Sequence, residues 1–114
     1  MPVKDLELEK IIKLNEDKEA YINFIEALKS DATKRLYRNT LFQFLRYCNI
    51  VDCDQFIKLP IPEIEIFIKR YLIHLQKTVR STTRKMMYEV IKKFLYMNDE
   101  HLTISWKGGQ KTIR

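Results

Sequence analysis

The chain has 114 residues, of which 46% are hydrophobic, and a formal net charge of +6. This length suits a single domain with its own core, and the hydrophobic content excludes a disordered chain. The sequence holds no apolar run of about 18 residues, which excludes a membrane-spanning helix, and its acidic start argues against a secretory signal. With two glycines and three prolines, we expect an all-α protein of long helices that resides in the cytoplasm.

The basic residues are concentrated after the first quarter of the chain. Residues 1–31 contain five basic and eight acidic residues, whereas residues 32–114 contain sixteen basic and seven acidic ones. The net charge is therefore −3 in the first segment and +9 in the second. This asymmetry favours a polyanionic partner such as nucleic acid for the second segment. A basic protein that binds no such partner could have the same distribution of charged residues.

The first two predicted helices are short. One covers residues 4–15, within an N-terminal extension over 1–16, and its expected apolar side is Leu6, Ile11, Ile12 and Leu14. The other covers residues 17–29 and opens the main domain, which we place at 17–106. Its apolar residues recur at helical spacing: Tyr21, Phe24, Ile25 and Leu28.

A longer helix is predicted over residues 32–48, with Ser30 or Asp31 as its cap. One face is apolar: Tyr37, Leu41, Phe44, Leu45 and Cys48. The other face holds cations and amides without an acid: Arg35, Arg38, Asn39, Gln43 and Arg46. A solvated face usually mixes both charge signs, so this one favours contact with phosphates and base edges. Phe42 falls among these residues and either meets a thymine methyl or, as we prefer, covers apolar surface of the N-terminal segment.

The next segment, residues 49–59, is a polar connection with at most one helical turn from Asp52. Pro60 and Pro62 precede a long helix that runs to about Lys77. Its expected core face is Ile64, Phe67, Ile68, Tyr71, Leu72 and Leu75. Ile66 and Ile73 lie on the opposite side, so this helix is either buried on two sides or meets a partner.

The last predicted helix follows a joint at 78–81, is capped by Ser81 or Thr82, and runs to about Met97. Its expected inward residues are Met87, Tyr88, Val90, Ile91, Phe94 and Leu95. Its expected outward residues are Lys85, Glu89, Lys92, Lys93 and Tyr96, with Arg84 at the edge. Beyond it, Leu102, Ile104 and Trp106 are expected to dock onto the core, and residues 107–114 read as a basic interdomain linker.

The two cysteines give no indication of a metal site. Cys48 and Cys53 do not have a common zinc-ligand spacing, and His74 and His101 form no His-x-x-x-His pair. We expect a buried thiol at Cys48, an ordinary loop thiol at Cys53, and neither a metal nor another cofactor.

Three segments in this order resemble the core-binding domain of tyrosine recombinases, also called the SAM-like N-terminal domain of phage integrases. They are SDATKRLYRNTLFQFLRY, YLIHLQKT with its Ser/Thr joint, and STTRKMMYEVIKKFLYM, and the resemblance covers roughly residues 18–106. The resemblance implies a small bundle of four to five helices that forms half of a clamp around double-stranded DNA at a recombination half-site. It also implies that other recombinase protomers bind the same DNA, that the protein lies with the DNA in the nucleoid, and that the isolated domain is monomeric.

The residues that cut DNA in that family are not found in this sequence. The family's catalytic domain carries an arginine, a lysine, a His-x-x-Arg motif and a nucleophilic tyrosine, and neither His74 nor His101 begins such a motif. We therefore expect a binding module without enzymatic activity, either part of a longer recombinase or a free-standing relative. The six tyrosines fall on or beside apolar faces and are expected to pack in the core.

The candidate DNA contacts fall into two groups. Residues near helix ends or rims are assigned to phosphates, unless they are only solvated: Lys34, Lys77, Arg80, Lys92, Lys93 and Lys107. Residues assigned to a groove are Arg35, Arg38, Asn39, Arg84 and Lys85, because Arg pairs with guanine and Asn with adenine. Arg46 shares the outward face of residues 32–48. Thr82 and Thr83, at a helix start, offer backbone N–H groups to a phosphate or simply cap the helix.

Two other functions remain open from the sequence. Residues 63–77 and 82–97 with their four-residue joint have the layout of a helix-turn-helix regulator, although the joint lacks glycine. Alternatively, Ile66, Ile73 and the acidic first segment belong to a helical protein-interaction module. A small enzyme has no supporting motif, because we find no phosphate loop, metal cluster or pair of catalytic carboxylates.

Overall fold

The computed structural model describes residues 7–100, and these residues form six helices and no strand. The helices are α1 Leu8–Asn15, α2 Glu19–Glu26, α3 Asp31–Tyr47, α4 Cys53–Ile57, α5 Ile61–Leu75 and α6 Ser81–Met97. The all-α bundle predicted from the sequence is confirmed. The short α4 is a helix of its own, which brings the number within the described residues to six.

The core lies where α6 meets its neighbours. α6 packs against α2, α3 and α5, while α1 packs on α3 and α4 on α2. Aromatic rings connect these helices at its centre: the ring of Phe94 lies 5.5 Å from Phe24 and 6.4 Å from Phe56, and Phe56 lies 5.5 Å from Phe44. Each fully buried side chain of this size stabilises the fold by about 1.5–3 kcal/mol relative to exposure.

The two long helices α3 and α6 end in the same way. Asn49 and Asp99 follow their last turns with φ of 62° and 64°, in the left-handed region. The next residue then donates its N–H back into the helix, from Ile50 to the carbonyl of Leu45 and from Glu100 to that of Leu95. Asn and Asp tolerate this conformation better than other side chains, so both helices end sharply without glycine.

A buried amide joins α1 to α4. The side chain of Asn15 is fully buried, and its Nδ2 donates to the carbonyls of Ile11, 2.8 Å away, and Val51, 2.7 Å away. The backbone N–H of Cys53 donates to Asn15 Oδ1 over 2.8 Å. These bonds satisfy the amide and connect segments that are 36 and 38 residues apart. The sequence patterns did not predict this.

Three further polar side chains complete this region. Asp52 caps α4 by accepting from the N–H of Asp54, and its carboxylate lies 3.6 Å from Lys18 Nζ. Asp54 Oδ1 accepts from the N–H of Ala20 at the start of α2. Asn98 Nδ2 donates to the carbonyls of Ala20 and Phe94, which joins the end of α6 to α2. We call these residues the polar corner: Asn15, Asp52, Asp54 and Asn98.

The N-caps of the two long helices, α3 and α6, agree only in part with those predicted from the sequence. Ser30 caps α3 as predicted, since its side chain accepts from the N–H of Thr33 over 3.0 Å. Phe42 is fully buried with its ring 5.7 Å from that of Tyr21 in α2, which is the preferred of its two interpretations. The predicted cap of α6 by Ser81 or Thr82 is wrong. Arg80 occupies the N-cap position, and no side chain among the described residues caps the helix.

Two further predictions about single residues are also wrong. Cys53 is not a loop thiol, because it opens α4 and is fully buried. Leu14 is 54% exposed, since the fourth inward position of α1 is occupied by Asn15 instead. The predictions for Leu6, for the docking of Leu102, Ile104 and Trp106, and for the linker over 107–114 lie outside the described residues.

No helix within residues 7–100 has the length and the apolar character needed to cross a membrane.

Candidate nucleic-acid interface

The outward face of α3 carries cations and amides, as the periodicity predicted. Arg35 and Gln43 are exposed, while Asn39 and Arg46 are half-buried beside them. The only acidic residue of α3 is Asp31, in the first turn, where a carboxylate suits the positive end of the helix dipole. Beyond that turn, this face presents hydrogen-bond donors and positive charge without a carboxylate.

Arg38 does not belong to this face. It is half-buried, its Nε is buried, and no described residue accepts a hydrogen bond from that atom. Its guanidinium lies beside Tyr21 of α2, where burial raises the pKa of the tyrosine and the hydrogen-bonded Arg38 opposes that effect. The sequence contains a signal for this placement, because Arg38 stands three, four and seven residues before the buried Leu41, Phe42 and Leu45.

A basic concavity of about 340 Å³ lies between α2 and α3. We call it the α2–α3 basic pocket, and its lining residues are Tyr21, Ile25, Asp31, Lys34, Arg35 and Arg38. Three cations face a single carboxylate in this pocket. The geometry suits an anionic group more than a cation or an apolar ligand.

The outward face of α6 is also basic. Lys85 and Lys92 are exposed, Lys93 is half-buried, and Tyr96 lies on the same face with 58% of its surface exposed. Glu89 is the only acidic residue of this helix. These placements agree with the outward positions that the sequence predicted for this helix.

Arg84 is placed differently from the sequence prediction. The sequence put it at the edge of the outward face, but the structure buries it to 6% exposure among the inner residues. Its spacing explains this, since Tyr88, Ile91 and Leu95 follow it at four, seven and eleven residues and are all buried. Its Nε and Nη1 are buried, and no described residue accepts a hydrogen bond from either atom.

The remaining candidates surround the start of α6. Lys77 and Arg80 are exposed between α5 and α6, and Thr82 and Thr83 are exposed in the first turn of α6. Lys107 lies outside the described residues.

Most of the candidate cations form no ion pair within the described part of the chain. The ion pair between Lys18 and Asp52 belongs to the polar corner, and it involves none of these residues. The set without a carboxylate partner among residues 7–100 is Lys34, Arg35, Lys77, Arg80, Lys85, Lys92 and Lys93. Intramolecular salt bridges therefore do not account for this concentration of positive charge.

A second concavity, of about 410 Å³, lies between α3 and α5 and was not predicted from the sequence. Its walls are aromatic, with the ring of Tyr47 lying 5.1 Å from both Tyr71 and His74. Gln43 and Arg46 of the basic face also line it. Sequence periodicity could not find it, because it requires knowing that the end of α3 meets the end of α5.

The thiols and acids do not form a metal site among the described residues. No group of three His, Cys, Asp or Glu side chains in that range could hold a metal ion. Burial raises the pKa of Cys48 to about 12, and burial together with the nearby Asp54 and Asp52 raises that of Cys53 to about 12. Both thiols therefore remain protonated at neutral pH, which makes them poor nucleophiles and poor metal ligands.

Comparisons of this chain with protein-family models, with curated proteins and with solved structures found no match. The functional interpretation therefore depends on the residues and their arrangement.

Proposed function

We propose that this chain binds double-stranded DNA through the outward faces of α3 and α6, and that it does so as the N-terminal clamp domain of a tyrosine recombinase. The observation that carries the proposal is the set of α3, α6 and joint cations without carboxylate partners. A duplex supplies closely spaced phosphates that match such a surface and release counterions on binding.

The positions of the cations divide their roles. Cations at helix ends and rims suit phosphates, which fix the register of a protein on DNA. Of these, Lys77, Arg80 and Lys92 are exposed, while Lys34 and Lys93 are half-buried. Arg35, Asn39 and Lys85 lie on the outward faces of α3 and α6 and suit base edges in the major groove. Arg38 and Arg84 were candidates for groove contacts, but their burial keeps them from reaching into a groove, so we assign them to phosphates.

The proposal is tested by removing cations from the proposed interface and, in a control, from another helix. We expect Arg35→Ala with Lys85→Ala to weaken binding of a fluorescein-labelled duplex by at least about 30-fold, since two lost contacts of about 1–3 kcal/mol each amount to at least about 2 kcal/mol. The control is Lys10→Ala with Lys13→Ala, which removes the same charge from exposed positions of α1. Fluorescence anisotropy at one fixed salt concentration measures both.

The control separates a local interface from a general attraction to positive charge. We expect the α1 double variant to change the affinity by less than about threefold, because exposed charges away from the DNA are screened by salt. Equal losses in the two double variants would contradict an interface on α3 and α6.

A protein-interaction module is the second candidate, because α5 has an exposed apolar stripe. Ile66 and Ile73 are 48% and 52% exposed and stand seven residues apart, on one side of the helix. In the same titration, no duplex binding together with a concentration-dependent size on gel filtration would favour this candidate over DNA binding.

A further inference from the structure

The first turn of α6 lacks the acidic residue that the other described helices have. A carboxylate in the first turn stabilises a helix by interacting with the positive end of its dipole. In α1 to α5 this residue is Glu9, Glu19, Asp31, Asp54 and Glu63, respectively. α6 has none. Because α6 has 17 residues, its aligned peptide dipoles place a partial positive charge at this end.

The backbone N–H groups at this end also lack a side-chain acceptor in the described part of the chain. Arg80 is the N-cap residue, and it has no acceptor atom in its side chain. No side chain within residues 7–100 accepts a hydrogen bond from the first-turn N–H groups, whereas Ser30 accepts one from the first turn of α3. The N–H groups of residues 81–83 therefore point out of the helix start with positive polarity.

Arg84 adds an independent observation at the same place. It is 94% buried, given its 6% exposure, and its Nε and Nη1 have no partner among the described residues. A helical side chain leans over the turn that precedes it, so Arg84 is directed toward the first turn of α6. Burying the guanidinium Nε and Nη1 of Arg84 without acceptors is costly, and an anion at the helix start would reduce that cost.

The charged residues around the start of α6 are also positive. Arg80 and Lys85 are exposed on either side of the first turn and have no carboxylate partner within residues 7–100. Thr82 and Thr83 are exposed there, so their hydroxyl groups can also donate hydrogen bonds.

We propose that the start of α6 binds one phosphate group, held by the N–H groups of residues 81–83 and by the guanidinium of Arg84. The inference rests on the proposed DNA binding, in which this group is a backbone phosphate of the duplex. Phosphate at a helix start is favoured by the dipole and by the free N–H groups together, and a nearby guanidinium adds charge-assisted hydrogen bonds.

The main test replaces Arg84 by methionine, which keeps a buried flexible side chain and removes the charge. We expect Arg84→Met to weaken duplex binding about tenfold and to reduce the steepness of the salt dependence by about 0.9, which corresponds to one phosphate. The melting midpoint of the free protein should not fall. The control Arg70→Met removes the same charge from an exposed position of α5 and should change neither quantity appreciably.

A second variant tests the helix start without disturbing the interior. Thr82→Asp adds a carboxylate to the exposed first turn, so it should raise the melting midpoint through the helix dipole and weaken duplex binding at least tenfold. Gln55→Asp adds the same charge to the first turn of α4, at another exposed position, and should leave the affinity within about threefold.

The outcomes separate this inference from the proposed function. If Arg84→Met and Thr82→Asp both keep the wild-type affinity and salt dependence, the phosphate site is wrong although the protein binds DNA. If the wild type binds no duplex, DNA binding is wrong, and titration with inorganic phosphate decides the site. Saturable shifts of the backbone amide signals of residues 81–83, lost in Arg84→Met, would then support it with free phosphate as the ligand. Their absence would overturn it.

Discussion

The polar corner and the outward faces of α3 and α6 use polar residues in opposite ways. In the corner, the side chains of Asn15, Asp54 and Asn98 bond to backbone groups of distant segments. On α3, α6 and the joint between α5 and α6, exposed cations have no carboxylate partner in the described chain. Arg84 is buried, and no described residue accepts a hydrogen bond from its Nε or Nη1. Contacts within the fold therefore explain why the corner has its polar residues, but they do not explain why these cations are present.

This contrast distinguishes polar residues that stabilise the fold from those that remain available for a ligand. Buried polar groups in folded proteins are nearly always hydrogen-bonded, and the polar corner follows that rule. Exceptions such as Arg84 require an explanation, and the arrangement of cations around it favours an anion. Variants in the two regions should therefore affect different measurements: stability in the corner, and DNA affinity on α3 and α6.

The largest expected effect on stability is at Asn15. We expect Asn15→Ala to lower the free energy of unfolding by about 3 kcal/mol, because it leaves the N–H of Cys53 and the carbonyl of Val51 without partners in a buried region. Urea denaturation followed by circular dichroism measures this. Duplex affinity, measured where the variant is still folded, should be that of the wild type.

Asn23 provides the matched control for this change. Its amide donates to Asn98 Oδ1 at an exposed position, so Asn23→Ala should cost no more than about 0.5 kcal/mol. If the two variants lose equal stability, the buried amide is not the structural element that we describe.

A smaller effect should distinguish the two helix starts. Ser30→Ala removes the side chain that accepts from the N–H of Thr33, and it should lower the free energy of unfolding by about 1 kcal/mol. Ser81→Ala, at the start of α6, removes no cap and should lower it by less than about 0.3 kcal/mol. Thermal unfolding of the two variants side by side measures the difference. A loss at Ser81 as large as that at Ser30 would mean that α6 is capped by its own chain.

The sequence predicted the helices and most of their faces, because both follow from local spacing. The course of α3 and α6, the Ser30 cap and the exposed Lys85 and Lys92 all come from periodicity and capping chemistry. The charge of Arg84 favours an edge position, whereas its helical spacing favours the core. The positions of the buried Tyr88, Ile91 and Leu95 would have placed it inside.

Other features depend on contacts between distant segments. The helical position of Cys53 cannot be predicted from spacing, because α4 has five residues, too few for a periodic pattern. Asn15 lies on the inner side of α1, but its partners at Val51 and Cys53 are known only once the chain has folded. The α2–α3 basic pocket likewise requires the position of Tyr21 relative to α3.

The salt dependence of duplex binding by the wild-type protein tests the central claim most directly. If four to six phosphates are neutralised, the logarithm of the binding constant should fall linearly with the logarithm of the salt concentration, with a slope of roughly −4 to −5. Anisotropy titrations of a labelled duplex at several salt concentrations give this slope. A slope near zero, or no binding at the lowest salt concentration, would contradict the account.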